Sequence, residues 1–215
     1  MKLASISKGI ALAFIASTTL SGAAFADTNN QTISDTTMST ERQMVAKALE
    51  ESQPAQWSNL TFQEKNQVLD VLVSMDKLPE TDEEAKIISP ILAVETSETS
   101  LRALPSLSQT LSSSGSRSDW YERRWTILGI SYAKATTHFG YNYNSTRVTS
   151  SNYCYGTVLN LVPLRAINHH SYVRFEGNNA VCETAITLQR VGHATTYGYQ
   201  GIRVNRNGII DTWGP

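Results

Sequence analysis

From Asp119 onward the chain gives up helical periodicity for runs of aromatic, Thr, Val and Ile residues, broken at short intervals by turn residues. This change constrains the fold more than any other feature, because strands of period two must find partners and bury one face. The pattern predicts strands near 123–134, 137–144, 152–162, 171–176, 180–190, 196–204 and 208–213. Gly177-Asn178-Asn179 and Asn205-Arg206-Asn207-Gly208 read as hairpin loops, each with a residue that tolerates positive φ. Strands so spaced, with no helical pattern between them, predict an antiparallel sandwich or barrel over 119–215. Alternation puts Phe139, Tyr141 and Tyr143 on one side of their strand, and Cys182, Thr184, Ile186 and Leu188 on one side of theirs.

Cys154 and Cys182 are the only cysteines, and both lie in this half. In an exported chain an even pair reads as one disulfide, with Cys182 facing the core. Closing a loop of about 28 residues stabilises by roughly 3–4 kcal/mol on loop-closure entropy. Export is itself an expectation from residues 1–26. Lys2 and Lys8 precede an apolar run from Gly9 to Thr18, and Ala24-Phe25-Ala26 is a small-x-small site with cleavage between Ala26 and Asp27. That run is too short to span a bilayer, which takes about 20 apolar residues. The mature chain is therefore expected to be secreted or extracytoplasmic, in bacterial style, with no transmembrane segment.

Residues 27–94 follow a different pattern and read as an acidic, partly helical region, a possible propeptide. Residues 27–39 are polar and lack periodic apolar positions, so no regular structure is expected there. Ser39 or Thr40 can cap a helix with Met44, Val45, Ala48 and Leu49 as its apolar stripe, ended by Pro54. Thr61-Phe62-Gln63-Glu64 fits a capping box ahead of Val68, Leu69, Leu72 and Val73, with Lys77 in the last turn and Pro79 as the stop. A short third helix starts at Thr81 or Asp82 and ends before Pro90. Residues 95–118 read as a Ser/Thr-rich linker, interrupted by Leu101, Leu104, Leu107 and Leu111. The fold class is thus α+β overall: a short helical N-terminal segment followed by an all-β domain with one disulfide.

Charge divides along the same line. Residues 27–115 carry 14 acids and 6 bases, whereas 116–215 carry 5 acids and 10 bases. The acidic region can dock on the basic β domain within one molecule, steered by that contrast. No nucleic-acid-binding module is visible, so no specific nucleic-acid partner is expected. Nine of the ten bases after residue 115 are arginine, interleaved with many tyrosines, a pairing that suits recognition of anionic or amphipathic partners. Candidate binding residues are Arg123, Arg124, Tyr141, Tyr143, His169, His170 and Arg174. The plainer alternative is that strand tyrosines fill the sandwich while arginines solvate its outer faces. No cofactor or metal site is expected. His169 and His170 would point to opposite faces of a strand and could share an ion only from a loop, with Glu176, Glu183 or His193 as further ligands. Glu176 and Glu183 flank one hairpin and could approach as a glycosidase pair, but there is no GxSxG or HExxH pattern.

Three functional expectations follow. The first is an exported, non-enzymatic β-sandwich module that binds an envelope component or a protein partner. The second is a bacteriocin-like toxin precursor, with residues 27–117 as an acidic propeptide cut near Arg117. The third is a secreted hydrolase using His169 or His170.

Overall fold

In the computed structural model the described residues are 27–99, 114–163, 165–190 and 195–214, with side chains from Thr40 onward. Among them, four helices precede eight strands. The helices are α1 (Asp27–Ser52), α2 (Pro54–Asn59), α3 (Phe62–Ser74) and α4 (Asp82–Ile88). The strands are β1 (Leu92–Glu98), β2 (Ser114–Ile127), β3 (Ile130–Asn144), β4 (Val148–Asn160), β5 (Arg165–Glu176), β6 (Asn179–Arg190), β7 (Thr196–Asn205) and β8 (Gly208–Trp213). They form two antiparallel sheets, ordered β1-β2-β3-β4 and β5-β6-β7-β8. Each sheet is a simple meander, as short turns between sequential strands favour.

The two sheets face one another as a sandwich. At one end their inner faces share a core of Tyr121, Phe139, Tyr141, Val148, Ala180, Cys182, Ile202 and Val204. The expected alternation holds here, since Phe139, Tyr141 and Cys182 are fully buried. The Cys154–Cys182 disulfide ties β4 of the first sheet to β6 of the second, with Cα atoms 5.7 Å apart. Such a bond belongs to a chain that matures outside the reducing cytoplasm. No helix among the described residues is long and apolar enough to cross a membrane. A buried polar layer crosses between the sheets, where Thr137 donates to Thr184 at 3.0 Å and the Gln200 amide donates to the carbonyls of Tyr121 and Ala135.

At the other end the helices supply what the sheets lack. Val45 and Leu49 of α1, Trp57 of α2, and Val68 and Leu72 of α3 share a core with Trp125, Ile127, Ile130, Tyr132 and Ile186. The capping box forms as the sequence predicts: Thr61 accepts from the Glu64 amide, and the Glu64 carboxylate accepts from the Thr61 amide. At the other end of α3, two arginines of the second sheet meet the last carbonyls. Arg165 donates to Leu72 and Met75, and Arg190 donates to Val73 and Met75. Cations at a helix C-terminus satisfy orphan carbonyls and oppose the negative end of the dipole. Arg190 also pairs with buried Glu41 of α1 at 3.2 Å. Arg165 is crowded by burial and by Arg190, which bring its pKa down to about 10.

Several sequence expectations need correction. The strand predicted at 123–134 is interrupted by a hairpin turn at Leu128-Gly129, where φ is 47° and 78°. Two positive φ values suit a type I′ turn, but leucine is a poor signal for one, because the left-handed region costs it about 1 kcal/mol or more. Leu128 packs against the helix-side core, which offsets that cost. The linker expected at 95–118 is strand at both ends: residues 95–98 lie in β1 and 114–118 in β2. Ser and Thr there pair through their backbones with strands whose own apolar faces are strong. The boundary at residue 94 therefore falls inside β1. The backbone of 27–39 continues α1, since each residue added to a formed helix gains a hydrogen bond without needing an apolar stripe. Lys77 is not in the last turn of α3, which ends at Ser74; it pairs with Glu84 instead. Pro54 opens α2 rather than merely ending α1. Residues 1–26, the four linker leucines and His193 lie outside the described residues.

Candidate functional site

The outer face of the first sheet carries the most organised set of exposed side chains. Period two sends Trp120 of β2, His138 of β3 and Tyr155 of β4 outward, and the register makes them direct neighbours across three strands. His138 stacks on Tyr155 with ring centroids 4.7 Å apart and planes at 19°. Tyr153 lies one pleat further along, 5.6 Å from Tyr155. Its ring covers Gly140, where a Cβ would collide with it, and its hydroxyl hydrogen-bonds with Ser118. The two tyrosines remain 41% and 47% exposed, so the ring faces are held in place yet open to solvent.

A polar ladder borders the rings. The register between β3 and β4 shifts after Gly140, leaving Asn152 unpaired in the ladder. Such a bulge re-aims a side chain, and Asn152 joins Asn142 on the outer face. Asn142 donates to Asn152 at 2.8 Å and to Ser150 at 3.0 Å, while Asn152 donates to Ser116 at 3.0 Å. On the other side of the rings, Glu122 accepts from Arg124 and Thr136 and lies 3.4 Å from Lys134. Burial alone would raise the Glu122 pKa, but these partners together lower it. Burial depresses the pKa of His138, so the ring facing Tyr155 is held neutral at ordinary pH.

Cys154 sits between the two tyrosines and points the other way, into the disulfide with Cys182. The bridge thus anchors the Tyr153–Tyr155 segment of an edge strand to the centre of the opposite sheet. This rigidifies the rings in the manner that lowers the ordering cost of binding.

The candidate residues named from sequence are spread over several surfaces. Arg123 is buried and donates to the Glu80 carbonyl. Tyr141 is buried and donates to Asp119 at 2.8 Å. Burial and that bond raise the Tyr141 pKa, and burial raises that of Asp119. Tyr143 packs at the rim of the inner core. Arg124 lies on the outer face of the first sheet, paired with Glu122. His169 and His170 are neighbours on β5, not in a loop, so they point to opposite faces and cannot share an ion. Arg174 lies on the outer face of the second sheet, 2.7 Å from Glu176 and 3.5 Å from Glu183. That pairing lowers the Glu176 pKa, the opposite of what a general acid requires. Among the described residues no three His, Cys, Asp or Glu side chains converge to hold a metal ion.

Sequence reasoning passed over Trp120, His138, Tyr153 and Tyr155 as a group. Alternation applied to 152–162 would have placed the two tyrosines together. The register joining them to His138 and Trp120 has no such signal, and neither does the bulge that turns Asn152. No protein-family description, curated protein or solved structure matches this chain.

Proposed function

We propose that this chain is an exported, non-enzymatic binding module and that its ligand is an uncharged stretch of envelope glycan, held on the outer face of the first sheet. The observation that carries the reading is the Trp120–His138–Tyr155 row with Tyr153 beside it, next to the Asn142–Asn152 ladder. A sugar ring presents C–H bonds on its faces and hydroxyls at its edge. Exposed aromatic faces match the first, and amide groups that both donate and accept match the second. The acidic region is read as a permanent partner of the β domain. Support comes from the Glu41–Arg190 pair and from the helix residues that share a core with Trp125 and Ile127. The precursor alternative requires residues 27–117 to leave, and with them β1 and every helix of that core. The hydrolase alternative needs His169 or His170 beside a carboxylate, whereas their direct neighbours across the ladder are Ile186 and Ala185.

Retention on purified peptidoglycan sacculi and on insoluble chitin tests the reading. At about 1 kcal/mol per stacked ring, Tyr153→Ala with Tyr155→Ala removes about 2 kcal/mol, or roughly thirtyfold in affinity. Retention of the double variant equal to that of the unaltered protein would overturn it.

A further inference from the structure

The outer face of the second sheet repeats this chemistry with different residues. Register aligns Tyr172 of β5, Glu183 of β6, Gly201 of β7 and Trp213 of β8 in one row across the sheet. Gly201 leaves room for the Trp213 ring to lie flat across the strand, where a Cβ would meet it. The indole then donates to Glu183 at 3.1 Å, while the Tyr172 hydroxyl donates to the other carboxylate oxygen. Glu183 is only 9% exposed and is clamped between two aromatic rings. In the adjoining row the small Ala185 lies between His170 and Tyr199, and Tyr199 is 53% exposed. The result is an outward-facing patch in which an oriented carboxylate is flanked by aromatic rings. The ionic groups beside it are paired, Arg174 with Glu176 and Glu183, and Arg203 with Glu176 and Asp211, and leave one carboxylate in excess. That excess disfavours an anion, whereas an uncharged polyhydroxylated ligand can donate hydroxyls to a carboxylate.

We infer that this patch is a second glycan site, so that one molecule holds two glycan strands, one on each outer face. The inference rests on the reading of the first sheet given above. The two faces point away from each other across a sandwich whose sheets are about 10 Å apart, so one strand cannot lie on both. Glu183 still has a lone-pair site for a sugar hydroxyl after accepting from Tyr172 and Trp213 and pairing with Arg174, and Tyr199 supplies the stacking face.

Calorimetric titration with the hexamer of β-1,4-linked N-acetylglucosamine, using the mature chain, tests the inference. Two hexamers are expected per molecule. Tyr199→Ala, an exposed position that leaves the fold intact, should reduce this to one while the remaining site keeps its affinity. Tyr155→Ala should leave the other site. Glu183→Gln should weaken the second site at least tenfold without moving the first, which separates the carboxylate from the ring. One hexamer per unaltered molecule, lost with Tyr155→Ala and indifferent to Tyr199→Ala, overturns the second site and leaves the first standing. No binding to the hexamer, to chitin or to sacculi overturns both.

Discussion

Replacing Glu41 by alanine tests whether the acidic helices are part of the folded unit. Glu41 and Arg190 have side chains only 7% and 10% exposed, with their charges 3.2 Å apart. Removing one member of a buried pair leaves the other uncompensated, which typically costs about 3–5 kcal/mol. Arg190 keeps its bonds to the Val73 and Met75 carbonyls and to Asp76, so its donors are not stranded. The expected loss is therefore at the lower end, about 3 kcal/mol. Arg165 adds to it, because two neighbouring guanidinium groups would then face each other without the Glu41 charge. For a chain of this size 3 kcal/mol corresponds to a fall of about 6–12 °C in melting temperature, or about 1.5 M in urea midpoint at a slope near 2 kcal/mol/M. Urea unfolding of the protein, followed by tryptophan fluorescence, reads the shift. Glu41→Ala combined with Arg190→Met should not recover the loss, since the Val73 and Met75 carbonyls at the end of α3 then lose the Arg190 donor as well. A midpoint moved by less than about 0.3 M would refute the reasoning and leave the helices as a loosely attached appendage.

Three further outcomes are expected. Gly140→Ala should push the Tyr153 ring off its seat, lowering retention on chitin and sacculi while the urea midpoint stays within about 1 kcal/mol of the parent. Thr61→Ala should remove the side-chain half of the α3 capping box, the bond from the Glu64 amide, while the residue-61 amide still donates to the Glu64 carboxylate, and cost about 1 kcal/mol in the same unfolding assay. Burial raises the folded-state pKa of Asp119 above its usual 3.8, with the Tyr141 bond and Arg117 only partly opposing it. The folded state therefore holds this proton more tightly than the unfolded state, and stability falls as pH rises from about 4 through the folded pKa. Asp119→Asn should flatten that part of the stability–pH curve, and an unchanged slope on the rise from the usual 3.8 would count against it.

How much of this was legible in advance depended on whether a signal was local. The Thr61 capping box, the hairpins at Gly177 and at Arg206-Asn207, the shared side of Phe139 and Tyr141, and the core-facing Cys182 are written within a few residues each, and all appear as read. The turn at Leu128 was hidden because its positive φ is sustained by packing rather than by residue type. β1 was hidden because its polar Glu-Thr-Ser-Glu end gains order only from the Arg124–Tyr121 stretch of β2 it pairs with. Arg123 and Tyr141 looked like surface candidates because composition does not reveal that Glu80 and Asp119 wait beneath them. The ring row of the first sheet is the clearest case. Its members come from three strands, so only the register joins them.

The bridge between Cys154 and Cys182 also decides how the molecule answers to force. Glycan strands drawn apart on opposite sides of the sandwich would pull its two layers away from each other, loading the greasy seam between them in tension. Sheets held only by apolar contact peel open from an edge, and β4 is such an edge. A covalent staple from that edge into the middle of the opposite layer closes off the peeling route, so such a tether would fail first at its sugar contacts and its own architecture would outlast the pull.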